Sequence, residues 1–306
     1  MRPSPLQKGL TIALLISIWG TTWSVIRIGL TGIPPLTGVA LRFALAGLLL
    51  WGLALAMGLR GPRLRAPMAL WCTHGLLSFG VSYGLVYWAE QWVPSGLAAV
   101  LFATFPLFVA LLAHFLLPGE RLRPAAAAGL ALGFLGVALV FSEDFAALGG
   151  PRVAFAGAVM LLSPLASALA QVAIKKWWAH VHPVPLNAGA MVLAGAVMGL
   201  LAALVERGRP VRFTGPAVGS LLYLTLLGTA VAFSLYFWLL RHMSATGLSL
   251  IAYAIPVVAM AVGAALFREP VTARVVAGAG LVIAGTALAS ARRLRPPSPA
   301  GAAAAE

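Results

Sequence analysis

Charge is what this sequence has least of. Only 9% of its 306 residues are Asp, Glu, Lys or Arg, where soluble globular chains carry about 25%. A fold in water could not cover its surface with so few charges, so the lipid bilayer is the natural solvent. Cysteine is equally scarce. Cys72 stands alone inside an apolar run, which excludes a disulfide framework and a cysteine-based zinc site. The five histidines are scattered, so no metal cluster is expected. No tight glycine turn flanks the serines near His74, as an intramembrane serine protease would need. No cofactor and no enzymatic activity are expected. The excess of base, +14 at neutral pH, would suggest nucleic acid in a soluble protein. In a membrane protein it belongs to short cytoplasmic loops, and no nucleic-acid partner is expected.

What the chain has in abundance is apolar length. Hydrophobic residues make up 61%, and mean hydropathy is +0.98. A helix needs about 20 apolar residues to cross a bilayer. Ten such runs occur, near 9–29, 36–58, 66–89, 95–117, 124–142, 153–176, 185–205, 214–240, 245–267 and 271–291. The first follows Arg2 and Lys8 like a signal peptide, but no clean cleavage site follows, and Trp19, Trp23 and Arg27 continue it. It reads as a retained span. The tail 292–306 has nothing to bury and is expected to be disordered. With the N-terminus inside, thirteen Lys and Arg fall in inner loops and six in outer ones, leaving Arg27 and Arg42 at or within spans. Both termini are therefore expected in the cytoplasm. Usage rich in Ala, Arg and Pro hints at a bacterial source.

The chain repeats itself. Ser95–Glu120 and Thr246–Glu269 each open on a small polar residue and glycine, carry a central proline (Pro106, Pro256) and close on glutamate. Gly129 and Gly136 follow Glu120 at the spacing with which Gly278 and Gly285 follow Glu269. Trp19–Arg27 similarly resembles Ser167–Lys175. Five spans form a unit, 9–142, and a second unit, 153–291, repeats it. Because five is odd, the second is inverted, the architecture of alternating-access transporters. The fold class expected is all-α, ten transmembrane helices in two inverted five-helix repeats.

Trp19-Gly20, Ala40–Gly47 ("ALRFALAG") and the two Pro-centred, Glu-terminated segments resemble the drug/metabolite transporter superfamily, in its ten-span branch with two EamA repeats. The resemblance implies export of small metabolites across the bacterial inner membrane, and amino acids, aromatic ones included, are the nearest-looking substrates. The chain is compatible with a monomer. Nucleotide-sugar export is the alternative substrate reading, and a membrane receptor or enzyme the alternative class. Phosphates would call for several buried cations, and the spans offer essentially Arg42.

Polar residues on spans usually face protein or a water-filled cavity. Ser163, Ser167 and Gln171 lie on one helical face of span 6, with Pro164 beside them. Span 3 offers His74, Ser78 and Ser82 on one face, and Tyr83, Tyr87 and then Glu90 or Gln91 on another. Trp19 and Tyr253 add aromatic surface. Trp19, Ser78, Ser82, Tyr83, Tyr87, Ser163, Ser167, Gln171 and Tyr253 are the expected substrate contacts, though each could instead join neighbouring helices. Arg42 reads either as a positive wall in the exit path or as a structural or snorkelling arginine. Pro106, Pro164 and Pro256 are expected hinges. Glu120 and Glu269 are expected to favour the positive start of the helix that follows each. Glycines 129, 133, 136, 278, 280 and 285 are expected to permit close packing. His74 is a weak candidate proton carrier. With all seven acids in loops, at span ends or in the tail, transport down the substrate's own gradient is expected.

Overall fold

A computed structural model describes residues 4–59, 66–118, 120, 122, 124–142, 148, 150–178, 181–242 and 251–290. The Arg60–Arg65 loop, the start of the second repeated segment at Thr246 and the tail lie outside them. The described residues are helical, without strands. Seven helices are long and apolar enough to cross a membrane: Pro5–Gly29, Pro35–Ala56, Met68–Ala89, Ser95–Leu116, Pro124–Phe141, Pro151–Trp177 and Pro183–Val205. Three shorter apolar stretches, Gly215–Val231, which runs on into the helix Ala232–His242, Ile251–Phe267 and Ala273–Ala289, complete ten. In chain order they are spans 1 to 10.

Span 1 begins at Pro5, before its apolar run, because a capping box fixes its start. Ser4 Oγ accepts from Gln7 N at 3.1 Å, and Gln7 Oε1 accepts from Ser4 N at 2.9 Å. Spans 2 and 4 follow Pro34 and Pro94, which have no side-chain acceptor and leave helix-start amides bare. Glutamates from the other half supply what these prolines cannot. Glu206, at the end of span 7, accepts from Leu36 N, Thr37 N and Thr37 Oγ at 2.8, 2.9 and 2.7 Å. Glu269 does the same for span 4.

Packing between the halves follows an exchange rule. Span 2 lies on span 7 and span 5 on span 10, each equivalent pair meeting itself. Span 1 packs on spans 8 and 9, and span 6 on spans 3 and 4. Exchanging halves maps one set onto the other, the mark of two repeats about a pseudo-two-fold axis, and with five spans in each the second runs inverted. Spans 5 and 10 cross backbone to backbone: a Cβ on Gly129 would sit 2.5 Å from Gly285 O, and one on Gly136 2.6 Å from Gly278 O. Gly280 differs from expectation, since it faces open space.

Two equivalent spans carry a feature not legible in the sequence. Span 3 is π-helical over Gly75–Val81 and span 8 over Leu226–Val231. In span 3 the segment starts at a close contact: a Cβ on Gly75 would sit 2.5 Å from Ala190 O of span 7. A π segment adds a residue to the turn and rotates the rest of the helix by about 100°. The expected His74–Ser78–Ser82 face is therefore split.

Candidate functional site

The split decides where the span-3 residues go. His74 Nε2 meets Asn187 Oδ1 of span 7 at 3.1 Å, and its ring lies edge-on to Phe79. Ser82, past the π segment, turns to span 6, where its hydroxyl lies 2.8 Å from Ser163 Oγ and accepts from Ser167 Oγ at 2.9 Å. Ser78 is buried on the π segment itself. The polar stripe of span 6 also divides: Ser163 and Ser167 are buried in this hydroxyl chain, whereas Gln171, a turn further, is exposed. Gln171 thus does not share their surroundings.

Arg42 does not snorkel. It is 2% exposed, its guanidinium 5.0 Å from the ring centre of Tyr83 and 5.2 Å from that of Phe43. Its Nη1 donates to Tyr87 Oη at 3.5 Å. Its Nε is buried without a hydrogen-bond partner. Gly228, in the π segment of span 8, leaves room beside it, where an added Cβ would meet Arg42 and Thr22 at 3.7 Å. Spans 1, 2, 3 and 8 therefore converge on one cation. A turn beyond Tyr87, Glu90 caps the helix end and is 3% exposed, with neither carboxylate oxygen hydrogen-bonded.

Near Glu90 the two halves are latched together. Arg27 at the end of span 1 forms an ion pair with Glu269, whose carboxylate also accepts from Ser95 N at 2.8 Å, Ser95 Oγ at 2.9 Å and Gly96 N at 3.0 Å. Arg268, at φ 53°, makes the left-handed turn that folds Glu269 back over span 9. A Cβ at Gly263 would run into the Glu269 carboxylate and lie 2.9 Å from Ser95 Oγ. The expectation for Glu269 is corrected: it caps span 4, from which 174 residues separate it, and not the helix that comes after it. Glu120 pairs with Lys175. Since Glu269 sits at the start of span 4 and Glu120 past its end, the two ion pairs hold opposite ends of the molecule.

Between the halves lies a cavity of about 110 Å³. Trp23 of span 1 and Phe102 and Pro106 of span 4 line it from the first half, and Tyr253 and Pro256 of span 9 and Thr286 of span 10 from the second. Substrate pockets commonly enclose about 300–1,000 Å³, so this is a contracted space. Span 4 breaks at Ala103-Thr104 just before Pro106, and Thr286 Oγ1 donates to the Ala103 carbonyl left there, at 3.3 Å. Span 6 breaks at Leu161 before Pro164, while Pro256 stays inside a continuous helix. Trp19 stands apart from the cavity and packs on Phe233 and Tyr236 of span 8. The residues expected to form one pocket thus fall into separate groups: the serine chain, the Arg42 box, Tyr253 at the cavity, and Trp19. Sequence reasoning did not select Trp23 and Phe102, although Trp23 lies one turn from Trp19.

Two inverted five-helix repeats enclosing a cavity beside paired prolines define an inverted-repeat membrane transporter. Residues 7–142 and 155–291 each match the EamA-like transporter family, and the chain belongs to that family. It is 35% identical over 264 residues to the uncharacterized inner membrane transporter YedA of Escherichia coli, spanning 85% of this chain and 83% of the relative. It is 29% identical to the uncharacterized transporter YoaV of Bacillus subtilis, covering 88% of this chain and 91% of that one. A probable amino-acid metabolite efflux pump of Salmonella typhimurium is 29% identical over 291 residues, 91% of this chain and 93% of the pump. A crystal structure 24% identical in sequence superposes with a TM-score of 0.65 over 96% of this chain and all of that one, and carries the fold alone.

Proposed function

We propose that this chain exports small zwitterionic metabolites, amino acids with aromatic ones among them, across the bacterial inner membrane by alternating access. Its units are residues 9–142 and 153–291, with both termini cytoplasmic. The observation that supports the reading is the contracted cavity between the halves, where Trp23, Phe102 and Tyr253 face the two central prolines. Aromatic faces suit an apolar side chain, and the space must widen for any amino acid to enter. The serine chain and the Arg42 box are then polar stations beside the route, Arg42 attracting a substrate carboxylate. None of the described residues lining the cavity is cationic, which disfavours nucleotide sugars. The relative named as an efflux pump points the same way.

The test is uptake of a panel of radiolabelled amino acids into proteoliposomes holding the purified protein. Flux of neutral or aromatic members, reduced in Tyr253→Ala with normal membrane insertion, is the expected result. No flux of any member ends the substrate reading. For sidedness, in a Cys72→Ala background on intact cells, an impermeant thiol reagent should label a cysteine placed at Arg268 and leave one at Arg63 unlabelled.

A further inference from the structure

Among the described acidic residues, Glu90 is the one that is buried without a hydrogen-bond partner. It ends span 3, where a loop carboxylate would be wet, yet it is 3% exposed and both oxygens lack a hydrogen-bond partner. A bare carboxylate held that way has lost its hydration with nothing in return, and a proton removes the charge that makes this costly. The charges that act on it come from three elements: Glu269 after span 9, Arg27 of span 1 and Arg42 of span 2. Each is already engaged. Arg27 is committed to Glu269, Glu269 to Ser95 and Gly96, and Arg42 to Tyr87 and the rings of Tyr83 and Phe43. Span 6, packed on the same segment of span 3, has Arg152 at its exposed start, and its Lys175 and Lys176 lie at the far end, where Glu120 is. Arg42 Nε is also unpartnered, but neither it nor Arg27 bonds Glu90, which is therefore a carboxylate without a bonded counter-charge.

We propose that Glu90 is a proton-binding site whose occupancy is linked to the latch between Arg27, Glu269 and the start of span 4. With the latch shut, Arg27 serves Glu269, and Glu90 is kept neutral by a proton. When the latch opens, Arg27 and water reach Glu90, and the proton leaves to the water at that end. Reclosing takes a proton up. A metal cation is a poorer occupant, because it would need several oxygen ligands and would sit between two guanidinium groups. A proton site linked to the latch stands against the expectation of transport down the substrate's own gradient alone. The inference rests on the transporter class of the chain and not on amino acids as its substrate.

The test is an infrared titration of the full-length protein in lipid, without substrate. At neutral pH the wild type should show the carbonyl band of a protonated carboxylic acid. The band should shift when the protein is grown on isotope-labelled glutamate, and it should be lost in Glu90→Gln but kept in Glu120→Gln. In Glu269→Gln, which removes a negative neighbour and frees Arg27, the band should disappear at lower pH than in the wild type. Absence of a glutamate band in the wild type, or its survival in Glu90→Gln, overturns the site. An unmoved titration in Glu269→Gln overturns the link to the latch. Should Glu90→Gln fail to insert, the isotope shift and Glu90→Asp, whose band should titrate differently from the wild type's, carry the same decision. Sodium in place of potassium should leave the band unchanged; its loss with sodium would make the site a metal site. A glutamate band in a protein that moves no labelled phenylalanine supports the proton site and counts against the substrate reading alone.

Discussion

The ion pairs Arg27–Glu269 and Lys175–Glu120 occupy equivalent places in the two repeats, and their surroundings are unequal. At the Glu269 end the carboxylate side chain is 5% exposed and holds a helix start as well as an arginine. At the Glu120 end the two side chains are 55% and 30% exposed. A buried, multiply hydrogen-bonded carboxylate cannot be stripped of one partner cheaply, whereas an exposed pair exchanges its partner for water at little cost. Inversion of a repeat therefore conserves the parts of a gate without conserving its strength. The conformation described is one bound tightly at the Glu269 end and loosely at the other.

The largest effect is expected from Glu269→Ala. It leaves the amides of Ser95 and Gly96 and the Arg27 guanidinium without their acceptor. Arg27, 38% exposed, falls back on water, so the main cost is the buried amides left unpaired, about 1–3 kcal/mol each. The melting temperature of the purified protein in detergent should fall sharply. A cysteine placed at Ala252 beside the cavity, in a Cys72→Ala background, should become reachable from the Glu269 end. A variant that melts like the wild type would mean that the latch holds nothing.

Gly263→Ala sharpens the comparison without touching a charge. The new methyl would press on the Glu269 carboxylate and on Ser95 Oγ, and overpacking of this kind costs about 1–3 kcal/mol. Gly280→Ala, on a glycine that faces open space, is the control and should be neutral or slightly stabilising through helix propensity. Equal melting shifts for the two would show that the space at Gly263 is not reserved for Glu269.

How much of this could be read from the sequence depends on the range of the force involved. The ten spans were legible because a bilayer demands a minimum apolar length, and the boundaries agree within a few residues wherever both ends are described. The repeat was legible because its glycines and glutamates keep their spacing. The partner of Glu269 was not, since a carboxylate near a helix start states the chemistry but not which helix. The π segment of span 3 was also hidden, because it starts where Gly75 meets the Ala190 carbonyl of another helix, and with it went the assumed alignment of His74, Ser78 and Ser82. Glu90 resembles any span-end acid until the charges of spans 1, 2 and 9 are placed around it.

The smallest effect is expected from Lys175→Ala, and its smallness carries the comparison. Exposed pairs contribute about 0–1 kcal/mol, and salt screens much of that. The variant should melt within about 1 kcal/mol of the wild type, with the difference shrinking as salt is added. A cysteine at Ala252 should be labelled from the Glu120 end in both proteins, since this pair does not hold that end shut. Lys175→Arg should also change little, because the fork of a guanidinium gains most where water is excluded. If Lys175→Ala instead destabilised the protein as much as Glu269→Ala, the two latches would be equal in strength. The conformation would then sit midway between its two states, without the bias argued from burial.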